Sequence, residues 1–572
     1  MYSNKRNVQI LVSLLKEHGV KHAVISPGSR NMALVVSLEG DPDIACYSVV
    51  DERSAAYFAI GVSLAHGGEP VVISSTSGQA TRNYMPAMTE AYYRGIPLVV
   101  ITADYTSSSI GQGIMQTVDQ MSIPVDSAKR SVSLPIVNSV EDEAHCIRIV
   151  NESLLELSHH GSGPVHINIA VEEHWDGGVE VLPPARVIER YTRREELPPL
   201  LARRILVVVG QHMPFTDQQR SALDEFCVRY GAVAFTHHLS NYHGPTAVHA
   251  SLLIENLDNR RFAEYEPELL ITIGGQIGDY AIDAFARRGR HEHWRVSPDG
   301  AVQDTFGKLT KVFEMSEEEF FGGYTERARE SLDELYLDVW AKANVRRAIP
   351  AGLPLSHALV AAEMAPRIPA GTVMHFAILS SLRNWNFFEL DATVTGYSNV
   401  AAFGIDGCMS TFLGHAAATE ELCVLVIGDL SFFYDMNSLG IRGLPSNARV
   451  ILVNNGGGGE FRLYSHAADQ FGDRADEHIA AAGHFGKARG WVESVGWKYD
   501  CVSSEADLKS VGADFFEPSD RPRLMEVLTT MRDDSEGVRM VREANSIPSL
   551  ESRIVKMLSP EVKLLAKKLL RR

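Results

Sequence analysis

Val424-Leu425-Val426-Ile427-Gly428-Asp429-Leu430-Ser431 and Val450-Ile451-Leu452-Val453-Asn454-Asn455-Gly456-Gly457-Gly458-Gly459 are the two stretches that decide how this chain folds. In each, an apolar run stops abruptly at polar side chains and glycine. Both read as buried parallel strands. Ligands of parallel sheets bind at the C-terminal strand ends. Two such ends side by side offer a carboxylate, an amide oxygen and bare backbone. A hard cation such as Mg²⁺ prefers oxygen ligands and commonly shares them with phosphates. The glycines allow the backbone to approach a phosphate closely. Taken alone, Gly428-Asp429 reads as an ordinary strand-turn-helix with an acid at the helix start.

Working outward, the N-terminal region holds similar strand ends. Val24-Ile25-Ser26-Pro27-Gly28-Ser29-Arg30 runs from a strand into a glycine-centred turn. Val71 to Ser75 does the same into Thr76-Ser77-Gly78, followed by Asn83, Pro86 and Glu90. A short strand, Cys46 to Val50, precedes Asp51-Glu52-Arg53-Ser54-Ala55-Ala56, which opens a helical pattern. On its own, Asp51-Glu52 is a charge bias in a first helical turn.

The interval between Gly-Asp and Asn-Asn resembles the diphosphate-anchoring motif of thiamine-diphosphate enzymes. The N-terminal motifs, with Thr102-Ala103-Asp104, Ser398-Asn399 and Gly404-Ile405-Asp406-Gly407, resemble the 2-succinyl-5-enolpyruvyl-6-hydroxy-3-cyclohexene-1-carboxylate synthases of menaquinone biosynthesis. The resemblance covers both cofactor domains and is thin in the middle. It implies an α/β fold of three doubly wound parallel-sheet domains. It also implies thiamine diphosphate and Mg²⁺ as cofactors, with decarboxylation of a 2-oxo acid and acyl transfer to an acceptor. By the same resemblance Glu52 is the carboxylate that activates the aminopyrimidine. Asp429, Asn455 and the carbonyl of Gly457 are metal ligands. Ser26, Pro27, Gly28, Thr76, Ser77, Gly78, Asn83, Gly404, Ile405, Gly428, Leu430 and Ser431 line the cofactor, with Ile405 as the wedge that bends it. Ser29, Arg30, Gln116, Arg383 and Phe461 fall where the family contacts its substrates. Arginine suits that work because its planar fork binds a carboxylate through two bonds.

Four positions depart from the family pattern. Tyr105 and Val400 stand where arginine is usual, Met115 where asparagine precedes the glutamine, and Glu460 where an apolar residue precedes Phe461. Two lost guanidiniums and one added carboxylate make the pocket more negative by about three charges, and losing partners for buried charges is costly. The family's substrates, 2-oxoglutarate and isochorismate, are polyanions. The expectation is therefore intact cofactor chemistry with a rewritten substrate site. A simple decarboxylase or oxidase, a carboligase for less acidic substrates, and a non-catalytic interaction protein remain alternatives; joint retention of Glu52, Asp429 and Asn455 argues against the last.

The chain has 572 residues, 45% hydrophobic and 22% charged, with a net charge of −18. That length accommodates three domains, and the charge argues against nonspecific nucleic-acid binding. The six cysteines show neither C-x-x-C nor zinc spacing, so buried thiols in a reducing cytoplasm are expected. No signal-like apolar segment follows the start. The expected domains are 1–185 (pyrimidine-binding), 200–345 (a middle α/β unit) and 351–535 (diphosphate- and metal-binding). Pro-flanked linkers lie at 182–199 and 346–354. Gly274-Gly275-Gln276-Ile277-Gly278 is not a dinucleotide fingerprint, because the glycines are misplaced for G-x-G-x-x-G. The first and third domains have the look of distant duplicates, without a clear sequence repeat. The tail 536–572 turns basic. Ser559-Pro560-Glu561 is a helix start, and leucines alternate with Lys and Arg to the end. That segment reads as a helix for a subunit surface, an acidic partner or a membrane surface. In this family the cofactor sits between subunits, which implies a homodimer or homotetramer.

Overall fold

The computed structural model describes residues 1–545 apart from 176, 250, 256, 258–260, 328–334, 345–347, 464–465 and 481–482. The basic helix expected at 553–572 lies outside the described residues. Two compact units emerge, Met1–Glu195 with Asp299–Glu314, and Glu196–Pro298 with the described residues from Met315 on.

The first unit is built on six parallel strands. In spatial order they are Ala45–Ser48, His22–Ile25, Val71–Ser75, Leu98–Asp104, Val165–Ala170 and Arg130–Leu134. The near-continuous apolar runs of the four inner strands follow from burial on both faces. Ala23, Ile25, Val72, Val99 and Ile101 enter one core. The alternate residues Val24, Val71, Ile73, Leu98 and Val100 enter the opposite one. Full burial of each such side chain is worth about 1.5–3 kcal/mol. The strand order reverses between His22–Ile25 and Val71–Ser75, which opens a crevice at their C-terminal ends.

The second unit holds two sheets. Around Ile205–Val209 lie Val233–Phe235 and Ala247–Val248 on one side, and Leu269–Ile273 and Glu292–Val296 on the other, all parallel. The other sheet runs Thr395–Tyr397, Val373–Phe376, Cys423–Gly428, Ala448–Asn454, Arg523–Leu528, Lys498–Val502, again all parallel. Numbered along the chain, this sheet and that of the first unit share the order 2-1-3-4-6-5. The likeness invisible in the residues is explicit in the shared strand order. Gly428 stands in register with Val453, so the strands that lead into Asp429 and Asn455 end side by side.

Two features depart from the sequence reading. The stretch 182–199, read as a linker, contains a strand, Glu189–Thr192, parallel to Leu309–Glu314. Its mixed charges concealed it, and only Ile188 is fully buried there, against Val302, Leu309 and Val312. The helix Met531–Asn545 crosses the boundary expected near 535 and buries Val538 and Val541 in the core of the last sheet. The glycines at 274–278 serve loop packing: a Cβ on Gly210 would lie 2.1 Å from the carbonyl oxygen of Gly275. Four of the six free cysteines are buried. Among the described residues no helix is long and apolar enough to cross a membrane.

Candidate active site

In the first unit the functional candidates collect at the crevice. Ser26–Arg30 and Thr76–Gly78 leave the two strands that flank it, and they abut so closely that a Cβ on Gly28 would lie 2.3 Å from the Cβ of Thr76. Gly78 has φ +82°, a conformation glycine adopts without strain. The buried hydroxyl of Ser77 has no hydrogen-bond partner among the described protein atoms, an opening for a bound ligand. Glu52 is the first residue of the helix Glu52–Ala65, whose N-cap Asp51 accepts from the amide of Ser54 at 2.7 Å. Asn83 ends the short helix Gln79–Asn83 and donates its side-chain amide to Glu52 Oε2 at 2.9 Å. The structure thus joins Glu52 to Asn83. Pro27, Gly28, Ser29 and Gln116 are exposed, and Gln116 adopts φ +61°.

Sequence reasoning missed what holds this crevice. Gln120 is buried, accepts from the Gly78 amide at 2.8 Å and donates to Asn168 Oδ1 at 2.7 Å. Asn168 donates to Asp104 Oδ2, and Thr102 donates to Asn168. Because the Thr102 proton is committed to Asn168, His166 Nε2 donates to Thr102, and its Nδ1 accepts from the Ser131 hydroxyl. Burial pushes His166 down to about 4, so it is neutral. Burial likewise raises Asp104, against the hydrogen bonds of Asn168 and the Tyr105 amide. No spacing pattern announces such a network, because its members come from separate strands and a loop.

The second unit supplies the other set. Asp429 opens the helix Asp429–Asp435 directly after its strand. Its Oδ2 accepts from the Gly456 and Gly457 amides at 2.7 and 3.2 Å. Gly457 N–H also reaches Asn455 Oδ1 at 3.0 Å, so the two side-chain oxygens converge on one donor, as ligands of a single cation would. Gly457's own carbonyl accepts from Gly459 at 3.1 Å. Burial raises the pKa of Asp429, offset in part by Leu430 N–H and His484. His484 accepts at Nδ1 from the Gly486 amide and therefore donates Nε2–H to Asp429, at 3.1 Å. A Cβ on Gly428 would meet only open space. Ser431 donates to the carbonyl of Ile405, tying the 404–407 loop to this helix. Ile405 is partly buried against the core.

The paired asparagines divide their work. Asn454 is buried and donates to Glu526 and the Gly486 carbonyl, while Asn455 donates to Asp534 Oδ2 at 2.8 Å. Asp534, which no motif indicated, holds Asn455 and accepts from the His357 amide.

Two of the substrate candidates, Arg30 and Arg383, are occupied by the protein itself. Arg30 donates to the Val171 carbonyl and to Glu173, and its guanidinium lies 3.7 Å from the centre of the Tyr105 ring. Arg383 donates to Glu460 Oε2 at 2.7 Å, and the Ser380 hydroxyl reaches the same oxygen at 3.1 Å. The Arg383 guanidinium also faces the Tyr280 ring at 5.5 Å. Val400 is buried among apolar side chains. Leu379 and Phe403 both adopt φ near +60° beside this arginine. That conformation is strained for bulky residues, and such strain concentrates at functional sites. A cavity of about 800 Å³ runs from Arg383, Glu460 and Phe461 toward Arg288 and Arg542.

Residues 6–123 match the family model described as thiamine pyrophosphate enzyme, N-terminal TPP binding domain. With the duplicated sheets, the Glu52 crevice and the converging Asp429 and Asn455 oxygens, this defines a thiamine-diphosphate-dependent enzyme. The 2-succinyl-5-enolpyruvyl-6-hydroxy-3-cyclohexene-1-carboxylate synthase of Bacteroides fragilis is 38% identical, covering 94% of this chain and 98% of its own. Those of Bacteroides thetaiotaomicron and Christiangramia forsetii are 37% and 32% identical with the same coverage. The chain belongs to the 2-succinyl-5-enolpyruvyl-6-hydroxy-3-cyclohexene-1-carboxylate synthase family.

Proposed function

We propose that this enzyme uses thiamine diphosphate with Mg²⁺ to decarboxylate a 2-oxo acid and transfer its acyl group to an acceptor less acidic than isochorismate. Thiamine diphosphate, when bound, would supply the nucleophilic carbon that decarboxylation of a 2-oxo acid needs. Glu52 would hold a proton at the pyrimidine ring, with Asn83 fixing Oε2 and leaving Oε1 for that role. Asp429, Asn455 and the Gly457 carbonyl would hold Mg²⁺ against the diphosphate, with Asp534 and His484 orienting the two side chains. The unpartnered Ser77 hydroxyl in the first unit and the bare Gly428 backbone in the second would each suit contact with the cofactor. In this reading the enzyme works in the cytoplasm as a homodimer or homotetramer; the buried thiols and the family resemblance support that. The basic tail is then a surface for a neighbouring subunit, an acidic partner or a membrane.

The observation that carries the substrate reading is the Arg383–Glu460 ion pair. In a half-buried setting, a guanidinium already satisfied by a carboxylate has little left for a substrate carboxylate. Arg30, covered by Tyr105 and paired with Glu173, repeats the pattern.

The test compares products by mass spectrometry. Wild-type enzyme with thiamine diphosphate and Mg²⁺ is offered 2-oxoglutarate with isochorismate, and separately pyruvate with an uncharged aldehyde acceptor. The second pair is expected to react faster. Turnover of the first pair at about 1 s⁻¹ or more, an ordinary enzymatic rate, would overturn the substrate reading. Calorimetry of Asp429→Ala checks the cation: cofactor affinity unchanged by chelator in wild type would remove Mg²⁺ from the account.

A further inference from the structure

A second cluster lies in the first unit, where the turn that follows the helix Val140–Leu155 meets the end of the strand Leu309–Glu314. Among the described residues, His159, His160 and Glu314 are the one group of histidine, cysteine and carboxylate side chains whose three ligand atoms fall within 4.8 Å of one another. His159 Nε2 is 3.0 Å from Glu314 Oε2, and His160 Nε2 is 3.3 Å from Glu314 Oε1. Two metal–ligand bonds of about 2.0–2.1 Å at a tetrahedral angle place their donor atoms about 3.3 Å apart. The spacing is that of ligands around one ion.

Further observations concern how these groups are held. Both nitrogens of His159 face carboxylates: Nδ1 lies 3.0 Å from Glu156 Oε1 while Nε2 faces Glu314. An imidazolium would donate to both; a neutral imidazole donates through one nitrogen and turns the lone pair of the other toward a carboxylate, an arrangement that a cation bound between them satisfies. Nδ1–H donating to a carboxylate is the usual support behind a metal-bound histidine. Glu156 is itself fixed by Arg190 at 3.1 Å. His160 takes φ +51°, which returns its ring over that of His159 with centroids 3.9 Å apart. The Lys129 ammonium donates to the carbonyls of His159 and Gly161 and pins the turn. Side-chain exposures of 15% for His159 and 12% for Glu314, against 74% for His160, describe a site open on one side.

We infer that His159, His160 and Glu314 form a binding site for a divalent ion of the zinc class, with Glu156 orienting His159 and a fourth position open to water. Two imidazoles and one carboxylate are a donor set that zinc takes, whereas Mg²⁺ prefers oxygen alone. The two histidines bind through deprotonated Nε2 atoms, so loading releases any protons held there to solvent.

The experiment uses the tag-free full chain, stripped by chelator and titrated with zinc chloride in the absence of thiamine diphosphate. Calorimetry and elemental analysis after dialysis give affinity and stoichiometry. Wild type is expected to hold a single equivalent and to melt at a higher temperature with zinc. His160→Ala and Glu314→Gln should each lose that equivalent. Glu156→Gln should keep it with affinity weaker by about 10–100-fold. Circular dichroism controls for folding, and His160→Ala removes a largely exposed ring. No zinc bound by wild type would mean that the cluster is held by protons alone and would overturn the inference. So would equal stoichiometry in wild type, His160→Ala and Glu314→Gln.

Discussion

Replacing Glu460 with alanine tests the substrate site most directly. Arg383 and Glu460 are each 14% exposed in their side chains and meet at 2.7 Å, with the Ser380 hydroxyl on the same oxygen. A hydrogen bond to a charged group is worth about 1.5–3 kcal/mol, and the semi-enclosed setting limits solvent screening. Taking about 2 kcal/mol, the released arginine gains about 30-fold for a carboxylate placed where Glu460 was. In Glu460→Ala, kcat/KM for 2-oxoglutarate relative to pyruvate should therefore rise by about 10–30-fold at a fixed acceptor. The variant alone should be less stable, because a mostly buried guanidinium loses its partner, at a cost of about 1–3 kcal/mol. Added 2-oxoglutarate should restore part of the lost melting temperature. Steady-state kinetics with both donors, and thermal melts with and without 2-oxoglutarate, read these effects. In Arg383→Ala/Glu460→Ala the gain should vanish. A donor ratio that stays within about threefold of wild type in Glu460→Ala, below a 1 kcal/mol effect, would refute the claim that this pair sets specificity.

Glu52→Gln should bind thiamine diphosphate about as well as wild type but exchange the cofactor's C2 proton about 10²–10⁴-fold more slowly; equal exchange by NMR would remove Glu52 from that role. Gln120→Leu strips the Gly78 amide and Asn168 of buried partners and should lower stability by about 1–3 kcal/mol, read as a lower urea midpoint at unchanged slope. His166 is neutral in the fold with its pKa lowered to about 4 from an ordinary 6.5. The unfolded chain therefore binds the proton first, and stability is full above pH 6.5 and drains away between pH 6.5 and about 4. His166→Asn should flatten this dependence by about one proton; an equal loss of stability between pH 7 and 5 in variant and wild type, read from urea titrations, would contradict it.

Much of this protein was legible as sequence because the informative signals are local. An apolar run ending at Gly428-Asp429, or at Asn454-Asn455, states both the strand and the chemistry at its end, since side-chain periodicity and the demand for glycine are set within a few residues. The motif around Glu52 reads the same way, with an N-cap, a first-turn acid and an apolar helix face. Tyr105 and Glu460 were visible as changes of charge, but not as contacts. Tertiary structure alone decided that Glu460 lies on Arg383, 77 residues away, and that Tyr105 lies on Arg30. It also decided that Asp534 holds Asn455 and that Gln120 anchors the Gly78 turn. The strand at 189–192 escaped because its charged residues carry no apolar alternation and its partner is more than a hundred residues distant. The identical strand order of two sheets with dissimilar residues makes the same point. Backbone hydrogen bonding and two-faced burial preserve a topology under many side-chain choices, whereas an ion pair or a buried network depends on which loops the completed sheets bring together.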